Sequence, residues 1–329
     1  MAILLTRENV QELLDMKSTI EILEKAFAEL AAGNVDMPQR TPIKSADPPG
    51  VSLFMPASIP SIGSLGAKVV SVYGGNPANF DLPAVLGTII LLDPKTGDTL
   101  CIMEGGFLTA MRTGGVSGVA TKYLARRDSK VHTLFGSGVQ AKTQAWAVAE
   151  AAELEKCLVY SLDPPEQRKV FCDMVAAVTK VPTEPIDDPR AAVEQADILT
   201  LATSAKDPVI RGAWVKPGTH INGIGSHAPS MRELDTDTVA KSKVICDSKA
   251  ACQAEAGDLM IPADNDNWHW KHVHGDLGEV IRGDISGRMA DDEITLFKSV
   301  GLAIQDLSTA SQVYSEAVKR HVGTEFKFL

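Results

Sequence analysis

Residues 132–141, His-Thr-Leu-Phe-Gly-Ser-Gly-Val-Gln-Ala, decide the fold. A short apolar run ends in Gly136, Gly138 and Ala141, and a helical pattern over 141–154 follows at once. A strand that reverses directly into a helix needs glycine at the first of these positions. Close approach of backbone to a pyrophosphate needs glycine at the second, and helix–strand packing needs a small third residue. The bare N–H groups at the helix start, aided by the helix dipole, attract phosphate. The stretch therefore predicts a dinucleotide site around Gly136, Gly138, Val139 and Gln140. The competing reading is a turn whose glycines serve only the turn. The motif alone is a weak signal. Here it follows a strand, opens a helix and heads a strand–helix–strand unit.

Outward from the turn, strand-like runs at 132–135, 157–162, 198–203, 219–224 and 244–246 alternate with helical patterns at 141–154, 166–178 and 191–195. This alternation predicts an α/β fold, a Rossmann-type doubly wound parallel sheet. Asp163 stands at the end of the second strand. There it would accept hydrogen bonds from ribose hydroxyls and repel a 2′-phosphate, which favours NAD(H). Its alternative role is an Asx-type cap before Pro164, and Ser161 offers a second register for the ribose contact. Arg168 lies close enough in sequence to leave NADP(H) open.

The N-terminal half reads differently. Residues 7–32 carry apolar positions at helical spacing, closed by Gly33-Asn34. Short β-prone runs at 51–55, 67–72, 85–92 and 99–103 follow, with the hairpin signal Asp-Pro-Lys-Thr-Gly-Asp at 93–98. These predict a meandering α+β domain. Small residues dominate a helical pattern at 107–125. The tail, 294–322, reads as helix that returns to cover the N-terminal sheet. The expected domains are 1–115 with 305–329, and 116–304.

Bulk properties exclude several function classes. The 329-residue chain has 44% hydrophobic and 22% charged residues, the balance of a globular protein. A net charge of -10 without a basic run argues against nucleic acid. No apolar stretch reaches the roughly 18–20 residues needed to span a bilayer. The N-terminus lacks the pattern of a signal peptide. The five scattered cysteines form no CxxC pair and suit a reduced, cytoplasmic setting.

Several segments together are far more specific than the glycine turn. They are Gly66-Ala-Lys68-Val-Val, Asn76-Pro, Leu108-Thr-Ala-Met-Arg112-Thr-Gly-Gly, the turn itself, Ala202-Thr203-Ser, Asn222-Gly-Ile-Gly225, Arg232-Glu-Leu-Asp235, and Leu296-Phe-Lys-Ser299-Val-Gly301-Leu-Ala with Asp306. In this order and spacing the chain resembles the ornithine cyclodeaminase/mu-crystallin family over nearly its whole length. The resemblance implies an N-terminal substrate and dimerisation domain completed by the C-terminal helix, with an NAD-binding domain between. It implies a homodimer acting on amino acids and their imines. Arg40, Lys68 and Arg112 would bind a substrate carboxylate. Arg112, Thr203, Asn222, Gly225 and Ser299 would join the turn in holding the cofactor. The residue types suit the task, since Arg offers a planar fork to a carboxylate and a lysine near two cations has a lowered pKa. For Arg40 the alternative is an exposed loop residue. For Lys68 an idle lysine inside an apolar strand is the weaker alternative.

One position departs from the pattern. Cyclodeaminases carry an aspartate two residues beyond Gly225, where this chain has His227. That residue would donate a proton or bind a second carboxylate, so the balance moves from ring-closing deamination to plain reduction. The expected function is NAD(P)H-dependent reduction of an imino acid, with iminosuccinate as one candidate, catalysed by Lys68 and His227. The alternatives are an ornithine cyclodeaminase and a mu-crystallin-like ligand-binding protein. The histidines of the 268–276 stretch (Trp-His-Trp-Lys-His-Val-His-Gly-Asp) read as surface residues of a tryptophan-packed loop, and no metal site is expected. Asp291-Asp292-Glu293 reads as a helix start, and His220 as structural.

Overall fold

The computed structural model describes residues 1–265 and 268–328. The chain divides into two compact units, Met1–Arg112 with Leu302–Leu329, and Thr113–Gly301.

The first unit is built on a seven-stranded sheet. Its strands are β1 (Ala2–Leu5), β2 (Thr41–Ser45), β3 (Gly50–Ile59), β4 (Ser64–Val72), β5 (Val85–Leu92), β6 (Thr99–Glu104) and, late in the chain, Thr324–Phe326. Strands β2 to β6 form an antiparallel meander, and β1 joins parallel to β6. The hairpin at 93–98 forms as expected, with Gly97 at φ 76 and its N–H on the Asp93 carbonyl at 2.8 Å. The expected helix at 7–32 is two helices, Arg7–Leu13 and Met16–Ala31. The break is a capping event: the Asp15 carboxylate accepts from the Ser18 N–H at 2.9 Å and restarts the helix.

The second unit carries the remaining strands: β7 (Val131–Phe135), β8 (Lys156–Tyr160), β9 (Thr183–Pro185), β10 (Ile198–Leu201), β11 (His220–Gly223), β12 (Lys243–Cys246), β13 (Val273–Asp276) and β14 (Thr295–Lys298). With Thr324–Phe326 as β15, the seven-stranded order is β15-β1-β6-β5-β4-β3-β2, and the eight-stranded order is β13-β12-β14-β11-β10-β7-β8-β9. Every pairing in the larger sheet is parallel. The strand order reverses between β7 and β10. In doubly wound sheets ligands bind at the carboxyl ends of the strands beside such a reversal.

Two expectations are corrected. The tail 294–322 is not one helix: Thr295–Lys298 is β14, buried between β11 and β12, and the helix is Ala303–Arg320. A strand buried on both faces reads as a continuous apolar run, which periodicity cannot distinguish from a buried helix. Asp291-Asp292-Glu293 does not start a helix but lies in a turn. There Glu293 accepts from the Met289 N–H at 2.7 Å and pairs with Lys243 at 3.2 Å.

Two histidines are sealed inside the parallel sheet. His132 meets the Thr200 hydroxyl at 3.0 Å, and His220 meets Thr295 Oγ1 at 3.0 Å and Asn222 Oδ1 at 3.2 Å. Burial lowers the pKa of each to about 3. Both are neutral in the fold, whereas in the unfolded chain they take up protons below about pH 6.5. Stability is therefore complete above about 6.5 and lost as pH falls toward 3, at about 1.4 kcal/mol per pH unit for each histidine. Urea-unfolding midpoints measured from pH 7.5 to 5 are expected to fall. A flat profile would contradict neutral burial of the pair.

Candidate active site

In the first unit the site begins on β4. Its residues alternate between buried and half-buried, and Lys68 lies on the buried face with Ser64, Gly66 and Val70. Strand neighbours at its register are Met55 on β3 and Ile89 on β5, both apolar and buried. The helix Ala303–Arg320 packs across this face. A side chain on Gly66 would run into the Ile90 carbonyl of β5 and meet Leu307 Cδ1 at 3.0 Å, so the position between strand and helix admits only glycine. The Ser64 hydroxyl donates to the Leu307 carbonyl at 3.0 Å and helps fix the register. That approach delivers the Asp306 carboxylate to Lys68 Nζ at 2.7 Å.

Arg112 reaches the same carboxylate oxygen from the helix Gly106–Leu124, with Nε at 2.8 Å from Asp306 Oδ1. Its Nη1 donates to the Gln305 side-chain carbonyl. The Arg112 Nε contact is an ion pair without hydrogen-bond geometry, and among the described residues Asp306 Oδ2 and Gln305 Nε2 are likewise buried without a hydrogen-bond partner, so polar capacity remains at this cluster. Arg40 precedes β2, is half-buried, and acts on Lys68 through its charge. The structure thus brings Arg40, Lys68 and Arg112 together. Burial lowers the Lys68 pKa to about 7, and the charges of Arg112 and Arg40 act in the same direction against the Asp306 carboxylate. Three cations around one carboxylate leave the pocket net positive while Lys68 is charged, which suits an incoming anion.

In the second unit the glycine turn lies at the end of β7, beside the reversal of strand order. Gly136 has φ 107, and a side chain on it would meet the Ala202 carbonyl at 2.6 Å. Gly138 caps the helix Val139–Ala151 without a side-chain hydrogen bond. Both Gly138 and Val139 are exposed, and nothing lies within 4 Å of where a Gly138 side chain would stand. Asp163 accepts a short hydrogen bond from the Ser137 hydroxyl and a longer one from Ser161 Oγ at 3.3 Å. It does not cap the following helix, whose N-cap, Pro164, has no side-chain bond. An exposed helix start with an acid beside it, at a topological switch point, fits a pyrophosphate and a ribose. Arg168 turns inward instead. It is 7% exposed, and its guanidinium donates to Asp187 at 2.6 Å and to the Ile186 carbonyl at 3.3 Å.

The other expected residues are placed unevenly. Thr203 and Gly225 lie just beyond β10 and β11, where one buried carboxylate ties them. Glu233 accepts from the Thr203 N–H at 2.7 Å and hydroxyl at 2.8 Å through Oε1, and from the Gly225 N–H at 2.7 Å through Oε2. The Asn222 side chain is buried and donates to Thr121 Oγ1 at 3.2 Å. Ser299 donates to Asp247 at 2.8 Å. Both of these side chains hold the fold rather than an open surface. His227 is exposed, and its Nδ1 lies 2.8 Å from the Gly225 carbonyl. Nδ1 therefore carries the hydrogen.

Sequence reasoning missed the charge network beneath these loops. Asp258 accepts from the Glu233 and Leu234 N–H groups at 2.7 and 2.9 Å and pairs with Lys298 at 2.9 Å. Burial and the Asp258 charge push the Glu233 pKa up. A lysine ending the apolar run Thr-Leu-Phe-Lys298 was the available signal, of the same kind that marked Lys68. Among the described residues no three His, Cys, Asp or Glu side chains group as a metal site, and no helix is long and apolar enough to cross a membrane. Trp268 is buried and stacks edge-on with Trp270 at 5.5 Å.

Comparison with known proteins places this geometry. The family model described as the ornithine cyclodeaminase/mu-crystallin family matches residues 1–321. The structure of Thermococcus litoralis Delta(1)-pyrroline-2-carboxylate reductase in complex with NADH and L-proline is 45% identical, with a TM-score of 0.95 over 98% of this chain and 100% of that one. An archaeal alanine dehydrogenase dimer with bound NAD is 33% identical, with a TM-score of 0.93 over 100% of this chain and 99% of that one. The iminosuccinate reductase of Paracoccus denitrificans in complex with NAD+ is 26% identical, with a TM-score of 0.92 over 99% of both chains. Full-length sequence match and superposition agree: the chain belongs to the ornithine cyclodeaminase/mu-crystallin family.

Proposed function

We propose that this protein reduces an α-imino acid to the α-amino acid with NADH, and that its substrate is a cyclic imine of the Δ1-pyrroline-2-carboxylate type. The observation that carries the reading is the buried cluster of Lys68, Arg112 and Asp306, in which a lysine pKa of about 7 stands beside a carboxylate-binding arginine. The choice of a cyclic imine rests on the 45% identity to the pyrroline-2-carboxylate reductase, against 26% to the iminosuccinate reductase.

The residues divide the work as follows. Arg112 and Arg40 bind the substrate carboxylate and fix its orientation. Lys68, close to its own pKa at neutral pH, gives a proton to the imine nitrogen and makes the adjacent carbon electrophilic. A reduced nicotinamide, when bound, supplies the hydride for that carbon. The N–H groups at Val139 and Gln140 would hold the pyrophosphate. Asp163 would accept from the ribose and repel a 2′-phosphate, and with Arg168 turned inward the reading is NAD rather than NADP. His227 is a second proton carrier at the loop edge. If the substrate bore a second carboxylate, the same ring in its charged form would bind it, which is what supports the iminosuccinate alternative.

Ring-closing deamination is disfavoured because a histidine replaces the aspartate expected two residues after Gly225. A ligand-binding role is disfavoured because both Lys68 and Arg112 are buried and ionically ordered. We include a cytoplasmic homodimer in the proposal. One sheet face carries Ile43 and Leu86 at the ends of a cross-strand row through Ser52 and Ser71, at 56% and 39% exposure, with Phe54 beside them at 43%. Such an apolar face on a soluble enzyme suits burial against a second copy.

Three outcomes test the reading. The purified protein is expected to oxidise NADH with Δ1-pyrroline-2-carboxylate and form L-proline, without releasing ammonia from ornithine. No NADH oxidation with cyclic imines, iminosuccinate, or 2-oxoacids plus ammonia or methylamine would overturn it. Lys68→Met is expected to lower kcat at least about 100-fold while NADH affinity holds. His227→Ala is expected to lower kcat about tenfold or more with little change in NADH affinity, and unchanged turnover would remove it from the reaction.

A further inference from the structure

Asp306 has so far been only the partner of two cations, yet its geometry gives it more to do. One oxygen, Oδ1, lies 2.7 Å from Lys68 Nζ and 2.8 Å from Arg112 Nε, while Oδ2 has no hydrogen-bond partner. All three side chains are buried, Asp306 completely. The charges that act most strongly on the Lys68 ammonium come from different elements. Arg112 comes from the helix Gly106–Leu124, Arg40 from the segment before β2, and Asp306 from the helix Ala303–Arg320; the neighbours on β3 and β5 are Met55 and Ile89. Among these charges of the described residues Asp306 is the single negative one, and the two guanidiniums cannot titrate in the working range.

We propose that Asp306 is the positioning residue of the reaction, holding the Lys68 ammonium in place and setting the pH at which Lys68 loses its proton. The inference rests on the proposed role of Lys68 as proton donor. Its physical content is a balance. Two fixed guanidiniums and burial favour neutral lysine, and one carboxylate opposes them. With that carboxylate present, lysine is divided between its forms near neutrality, able both to give a proton and to be recharged from solvent. Without it, lysine would be neutral through the physiological range and have no proton to give. The arrangement also explains why one oxygen serves both cations: Oδ1 holds Nζ against the Arg112 guanidinium, beside which a substrate carboxylate would lie.

The test is the pH profile of kcat/KM for imine reduction, which reports free-enzyme groups. In the wild type it should turn down above about 7, where Lys68 deprotonates. Asp306→Asn keeps the shape and removes the charge, and should move that limb down by about one pH unit or more. Arg112→Gln weakens substrate binding and should move the limb up. Asp306→Glu should leave it within a few tenths of the wild-type position. A merely structural Asp306 would lower the unfolding midpoint in Asp306→Asn but leave the limb where it was, and that result overturns the proposal. If Asp306→Asn does not fold, Asp306→Ser takes its place in the same measurement, and an unmoved limb there overturns the proposal equally. A wild type inactive on every imine defeats the functional reading instead. In that case a carbon-13 titration of the lysine Cε resonance absent from Lys68→Met still decides whether Asp306 and Arg112 move the lysine in opposite directions.

Discussion

The first unit depends on one carboxylate oxygen shared by two buried cations. Isolated charges in an apolar interior are too costly to keep, so Lys68 and Arg112 must either be neutralised or be paired. Lys68 can shed its proton, but Arg112 cannot. The counter-charge is Asp306, 238 positions away along the chain from Lys68. The chain must therefore leave the first unit, build the whole of the second, and return. The discontinuity of the first unit in sequence follows from that electrostatic requirement, together with the apolar sheet face that the returning helix covers. Gly66 sits in the same layer, where a larger residue would strike the Ile90 carbonyl of β5 and crowd the Leu307 side chain of the returning helix.

A second buried network solves the corresponding problem in the parallel sheet. The segments beyond β10 and β11 leave main-chain N–H groups where no strand continues to receive them. Glu233 accepts from three of them, at Thr203, Gly225 and Ser226, and Asp258 and Lys298 hold Glu233's own backbone and charge in turn. Asp247 plays a like part at the end of β14, accepting from the Ser299 hydroxyl and from the Val300 and Gly301 N–H groups. The loops at the ligand end of this sheet are therefore fixed by interior carboxylates. Gly225 also has to be small, since a side chain there would strike the Thr203 carbonyl and the Glu233 carboxylate.

What was legible in the sequence divides along the same lines. Val85–Leu92 was readable to the residue because turn chemistry bounds it on both sides. The switch from meander to alternating strands and helices was readable because hydrophobic periodicity changes with it. β14 was not, because four consecutive buried residues carry no period. The glycine turn and Asp163 lie within about thirty residues and announce one another. Lys68 and Arg112 stood out as charges in apolar or small-residue surroundings. Asp306 stood out only as a position of the family pattern and not as their counter-ion, because it lies in the first turn of an ordinary amphipathic helix, and nothing local shows that its side chain points inward. Asn222 and Ser299 were expected at the cofactor from the family pattern, yet their side chains are engaged inside the fold. A motif position records that a residue type is required, not whether it faces the ligand or the scaffold behind it.

The two buried lysines make the distinction between scaffold and chemistry concrete. Lys68 and Lys298 are each almost wholly inaccessible, each on a strand and each paired with an aspartate at under 3 Å. Burial alone pulls both toward the neutral form. Around Lys298 the carboxylates of Asp258 and Glu233 outweigh that pull and raise its pKa, so it stays charged and serves as a fixed tie. Around Lys68 a single carboxylate faces two guanidiniums, the pull prevails, and the pKa falls to about 7. The same residue type at the same depth is thus a permanent cation in one unit and divided between its charged and neutral forms near neutrality in the other. The difference lies in the count of charges on neighbouring elements, which is why the order of the fold, rather than either strand's own sequence, assigns the chemistry.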